Sequence, residues 1–201
     1  MRTYIGLFLV SIFLYACQME QEQLPILGEK LIEGTDTLYH TIPEFSFINQ
    51  EGQEVTLATF EDKIYVVDFF FVSCPTICPV VKAQMLRVLE AYQDEDRLVF
   101  LSHTIDPKRD TVERLKKYAD NLGVGAPKWH FVTGDKEKLH GIASSYFSIA
   151  YEDATAPGGF DHSGRLILID QNKRIRSYCD GTDPKSVDQF IKDIGILLEK
   201  G

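Results

Sequence analysis

A chain of 201 residues has room for one domain with a sizeable core and an appendage. Its composition, 44% hydrophobic and 25% charged, excludes the low-complexity and fibrous classes. A formal net charge of −9, with no basic stripe to neutralise phosphates, excludes a nucleic-acid partner.

Met1-Arg2-Thr3 is a short, positively charged start, and Tyr4 to Ala16 is almost purely apolar. At 13 residues that run is too short to span a bilayer as a relaxed helix. It ends in Leu14-Tyr15-Ala16-Cys17, which resembles a bacterial lipobox, where a small residue precedes a cysteine that is lipidated and starts the mature chain. Tyr15 is bulkier than the residue usual at its position. The bland alternative is an uncleaved anchor. Either way the expected location is extracytoplasmic and membrane-tethered, facing a periplasm-like space where thiols can be oxidised. Residues 17–40 read as a tether, with one local contact through Leu24-Pro25-Ile26-Leu27. The expected organisation is a signal peptide over 1–16, the tether, and one domain over 41–201.

Within that domain, Phe45-Ser46-Phe47 and Val55-Thr56-Leu57 alternate around Asn49-Gln50-Glu51-Gly52, which predicts a hairpin. Ile64 to Val72 is an apolar run broken only by Asp68, as expected of a strand buried on both faces. Cys74 and Cys78 follow. Val81, Met85, Val88, Leu89 and Tyr92 then recur at helical spacing, with Lys82, Arg87 and Glu90 between them. Leu98 to Leu101 predicts a second strand. Asp110 and Glu113 offer a cap and its partner for a helix that Gly123 closes. Trp129 to Val132 reads as a strand, and Leu139, Ile142, Ala143 and Tyr146 as a helical stripe. Leu166–Ile169 and Ile175–Cys179 flank Asp170-Gln171-Asn172-Lys173 as a hairpin, and Asp183-Pro184 opens a last helix. The order β-hairpin, βαβ, αβ, α, β-hairpin, α predicts an α/β, thioredoxin-like fold: a central mixed sheet flanked by helices, with an N-terminal hairpin.

In that arrangement Cys74 and Cys78 fall where the first βαβ strand meets its helix. Unpaired backbone N–H groups and the positive end of the helix dipole favour thiolate there. Pro75 and Pro79 both suit a helix entry. The spacing holds one residue more than the C-x-x-C of a thioredoxin-type oxidoreductase, so a redox pair, a structural disulfide and a soft-metal site all stay open.

A third donor would decide, and there are five histidines. His40, His130 and His140 read as satisfied or solvated side chains. His103, at the carboxyl edge of the second strand, is a minor candidate. His162 leads, because Gly158-Gly159-Phe160-Asp161-His162-Ser163-Gly164 enters the final hairpin beside the cysteine corner. Asp161 is positioned in sequence to orient its imidazole. Cys179 alternates with Ile175 and reads as a buried strand thiol.

Cys74-Pro75-Thr76-Ile77-Cys78-Pro79 after an aromatic strand resembles the C-P-x-x-C-P motif of the Sco/SenC family. Asp106-Pro107-Lys108-Arg109-Asp110-Thr111 resembles that family's D-P-x-R-D-T segment, and Asp161-His162 its D-H pair. The likeness runs from about Ile42 to Leu198. It implies a membrane-tethered, thioredoxin-fold protein that binds copper, as Cu(I) and with a fourth ligand Cu(II), through Cys74, Cys78 and His162. It also implies delivery of that copper to, or maturation of, the binuclear copper site of cytochrome c oxidase, with the oxidase's copper-site subunit or another cuproprotein as partner. Asp106 and Asp110 are expected on the partner-facing rim, although a turn and a cap are the plainer roles. Cys17 would carry the lipid. The alternative is a thiol–disulfide oxidoreductase that keeps the oxidase's copper-ligand cysteines reduced, with Cys74 and Cys78 as its redox-active pair. A peroxidase and a redox sensor are further readings of the same corner.

Overall fold

The computed structural model describes residues 23–199. The expected signal peptide and Cys17 lie outside them. Among the described residues no helix is long and apolar enough to cross a membrane.

The elements follow in chain order. β1 (Lys30–Glu33) and β2 (Asp36–Tyr39) form a separate ribbon, and β3 (Ser46–Asn49) and β4 (Glu54–Thr56) the expected hairpin. Then come β5 (Ile64–Phe70), α1 (Cys78–Ala91), β6 (Leu98–Thr104), α2 (Val112–Leu122), β7 (Trp129–Thr133) and α3 (Lys136–Ala143). β8 (Ala150–Glu152) and β9 (Phe160–His162) pair as a second small ribbon. β10 (Arg165–Ile169), β11 (Ile175–Asp180) and α4 (Pro184–Leu198) close the chain. The main sheet runs β11-β10-β5-β6-β7-β3-β4. β5, β6 and β7 are parallel and the outer pairings antiparallel, so the sheet is mixed.

β5 is buried at all its positions, as its unbroken apolar run requires. Its side chains alternate between two layers. Phe70 stacks on Tyr118 of α2, while Phe69 meets Tyr146, just past α3. α1 packs against α4, which also lies on β11. Helices thus cover both faces and the fold is thioredoxin-like. The chain leaves the carboxyl end of β5 and enters α1 at Cys78, which fixes the cysteine corner to the middle of the sheet.

Part of the stretch read as a tether is folded. Residues 30–39 form the β1–β2 ribbon, the Leu27 N–H donates to the Ile175 carbonyl, and Arg176 donates to the carbonyls of Leu24 and Pro25. The second strand is longer than its apolar stretch, because Ser102, His103 and Thr104 continue the pairing with β5. The α2 cap is Thr111, not Asp110: the Thr111 side chain accepts from the Arg114 N–H. Asp110 is fully buried, and its carboxylate accepts from the Val72 N–H and the Thr104 hydroxyl. It is committed between two strand ends and is unavailable to the helix.

Candidate metal centre

α1 begins on Cys78, with Ile77 as a cap that makes no side-chain hydrogen bond. Its first N–H groups are therefore free to face the cysteine loop. Burial raises the Cys74 pKa, but the N–H groups of Cys78 and Thr76 and the Thr76 hydroxyl outweigh it, and the net shift is downward. At Cys78 burial prevails and the thiol is pushed up. Both are free thiols.

β9 ends on His162, whose ring meets Phe71 edge-on at 5.5 Å. Its Nε2 lies 3.1 Å from Cys78 Sγ and 3.9 Å from Cys74 Sγ. The three donor atoms fall within 4.8 Å of one another. Donors around one soft ion at about 2.3 Å (sulfur) and 2.0 Å (nitrogen) are separated by roughly 3.7–4.0 Å in a trigonal set. The His162–Cys74 separation matches such a set, and the His162–Cys78 separation is shorter by roughly 0.6 Å, so the imidazole would need only to draw back from Cys78. Burial holds the His162 pKa below its ordinary value, against the opposing pull of Asp68 and Asp161, so the ring is neutral and has a lone pair to give at neutral pH.

The other expected site residues give no donor atom to this set. The Asp161 carboxylate accepts from the Tyr151 hydroxyl at 2.9 Å, so its observed role is to pin β8 to β9. Asp106 and Asp110 are buried, at 4% and 0% exposure, and neither stands on a rim. His103 is sealed among Phe45, Phe47, Phe69 and Tyr146, away from the sulfurs. His40, His130 and His140 pair with the Ser145 carbonyl, Asn49 and the Ile105 carbonyl. Cys179 is buried, its thiol pushed up to about 12 by that burial.

Sequence reasoning missed Lys82. It sits one turn past Cys78, is only 2% exposed, and donates to both Asp68 oxygens at 2.8 and 2.6 Å and to Ser102 Oγ at 2.8 Å. Trp129 Nε1 also donates to Ser102, and Lys82 Nζ stands 4.2 Å from the Phe70 ring centroid. The signal was present: positions 78, 82 and 85 share one helix face, and Asp68 is the lone charge in the strand beneath it. This buried ion pair forms the floor under Cys78.

A sequence profile described as SCO1/SenC matches residues 33–199. The chain belongs to the SCO1/SenC family. A relative described as SCO1 protein homolog, from Bacillus subtilis (strain 168), is 26% identical over 196 residues, covering 96% of each chain. The solved structure of a SCO1/SenC family lipoprotein from Bacillus anthracis str. Ames superposes with a TM-score of 0.72 at 25% identity, over 79% of this chain and 95% of the other. Bradyrhizobium japonicum ScoI, solved with copper bound, gives a TM-score of 0.63 at 25% identity, over 76% and 98%. The family thus includes copper-binding members, and this chain brings two sulfurs and an imidazole together at its cysteine corner.

Proposed function

We propose that this protein binds copper through Cys74, Cys78 and His162 and passes it to the copper-site subunit of cytochrome c oxidase. The observation that carries the reading is the convergence of one Nε2 and two Sγ atoms on a common point. Two thiolates and a neutral imidazole suit Cu(I), and a fourth donor from outside the set would admit Cu(II). The oxidase as recipient rests on the family resemblance. A cleft lined by Ile77, His162, Gly164, Arg165 and Tyr178 opens the imidazole side of the set to an incoming protein.

The supporting experiment is His162→Ala. Loss of a ligand should weaken copper retention by at least the roughly ten- to hundredfold known for outer-shell changes. It should abolish any Cu(II) absorption band and impair oxidase assembly at limiting copper, while the isolated protein still exchanges disulfides. Full oxidase assembly by His162→Ala at limiting copper would overturn the chaperone reading.

That result would favour a second reading, supported by the opposite pKa shifts of the two thiols. The Cys74 thiolate attacks a partner disulfide and expels one partner thiolate. Cys78, its proton passing to the partner thiolate just released, then attacks Cys74 Sγ, freeing the second partner thiolate and leaving a Cys74–Cys78 disulfide. The partner gains the two electrons that the pair loses.

The same proposal places the domain on the extracytoplasmic side of a bacterial membrane, tethered by a lipid on Cys17. Cys17→Ser should leave the protein unprocessed or release it from membranes, with copper binding unchanged. A Cys17→Ser protein still membrane-bound with a normally processed N-terminus would contradict the anchor.

A further inference from the structure

The D-P-x-R-D-T segment touches both halves of the site. Beyond Asp110, which holds Val72, Arg114 donates from one nitrogen to the Ser73 hydroxyl and from another to the Arg109 carbonyl. Val72 and Ser73 lead directly into Cys74. The segment is therefore gripped to the cysteine loop.

Arg109 faces the other way. Its Nε donates to the buried Asp106 carboxylate, and its Nη2 donates to the Gly158 carbonyl at 3.1 Å. The guanidinium carbon stands 5.7 Å from the Phe160 ring centroid. Gly158, Gly159 and Phe160 immediately precede Asp161-His162. Gly158 has φ +82, and a Cβ there would lie 2.7 Å from Phe71 ring carbons and 3.2 Å from Pro75 Cδ. The arm bearing His162 thus presses on the cysteine loop at a point where only glycine fits. Its own ladder, β8 with β9, pairs within the arm and lies outside the main sheet.

We propose that Arg109 is a positioning residue that clips the His162 arm onto the cysteine corner, joining the Asp106 carboxylate to the Gly158 carbonyl through one guanidinium. The inference rests on the copper reading of the same site. The planar fork sets two donors at a fixed angle, one for each acceptor, which a lysine ammonium cannot reproduce. Asp106, expected at a partner-facing rim, is in this account the buried base of the clip.

The test uses the full-length protein in detergent, with Arg109→Ala, Arg109→Lys, His162→Ala and the Arg109→Ala/His162→Ala double variant. Cu(I) retention is read by competition with a chromophoric Cu(I) chelator. Hydrogen–deuterium exchange is read in the metal-free, reduced protein. Arg109→Ala should lose about tenfold in Cu(I) retention, and Arg109→Lys should recover little of it. Amides of residues 150–163 should exchange faster in Arg109→Ala, while those of β5 and α1 stay as in the wild type. Adding Arg109→Ala to His162→Ala should cost nothing more, because the clip acts through the imidazole. Wild-type retention in Arg109→Ala, unchanged exchange over 150–163, or an equal further loss on the His162→Ala background would each overturn the clip. If His162→Ala itself holds copper as the wild type does, the copper reading falls and the clip falls with it. If His162→Ala loses copper and Arg109→Ala does not, the clip alone falls.

Discussion

The two sides of the donor set are held by different means. Cys74 and Cys78 lie between the central strand β5 and the first turn of α1, above the buried Asp68–Lys82–Ser102 network. His162 rides on a strand of three residues in a ribbon outside the main sheet, beside the exposed side chains of Ile149 and Tyr151. The sulfurs are placed by the same contacts that hold the fold together. The imidazole is placed by contacts outside the main sheet: the β8–β9 ladder, the Phe71 ring and the Arg109–Gly158 bond. Changes beneath the corner should therefore register as lost stability, and changes in the arm as lost metal retention at nearly constant stability.

The largest expected effect breaks the corner. Lys82→Met removes the cation facing Asp68, whose carboxylate is 1% exposed and keeps only the Ser102 hydroxyl. An uncompensated buried charge of this kind costs about 3–5 kcal/mol. Urea unfolding of the metal-free, reduced protein should show that loss. The Lys82→Met/Asp68→Leu double variant should regain most of it, since two well-packed apolar side chains replace a desolvated pair at little net cost. An Arg109→Ala midpoint as low as that of Lys82→Met would erase the distinction between corner and arm.

How much of this contrast was legible in the sequence follows from the same physics. β5, β6 and β7 carry apolar runs that only a doubly covered sheet can bury, and α4 announces itself through Asp183, whose side chain accepts from the Lys185 N–H just before Pro184. Cys74, Cys78 and His162 were legible as chemistry because two thiols at a helix entry and an imidazole in a glycine-rich loop have few other uses. Lys82 is legible only when helix and strand are read together, because a lysine among apolar helix positions reads as solvent-facing until the Asp68 of the strand beneath is set against it. Asp110 was misread for a similar reason: a carboxylate before a helix looks like a cap, and its actual partners, Val72 and Thr104, are tertiary. The β8–β9 ribbon pairs only with itself across a loop of Asp, Pro and Gly, so it left no periodicity to find.

A smaller effect sharpens the comparison through a second buried imidazole. His103 is fully buried among aromatic rings, and neither ring nitrogen has a hydrogen-bond partner. Burial alone drives its pKa down to about 3 from an ordinary 6.5. Between those values the unfolded chain binds a proton that the folded chain refuses, so stability must fall as pH drops through the window. At pH 4 the loss from this one group is roughly 3 kcal/mol relative to neutral pH. His162 is shifted in the same direction, but it is half-buried beside an open cleft and two carboxylates oppose the shift. Urea unfolding of the metal-free, reduced protein between pH 7 and pH 4 should therefore flatten markedly in His103→Phe and only slightly in His162→Ala. Parallel curves for His103→Phe and the wild type would mean that the folded protein accepts the His103 proton without penalty. A larger flattening in His162→Ala than in His103→Phe would show that the arm, not the core, holds the more deeply desolvated imidazole.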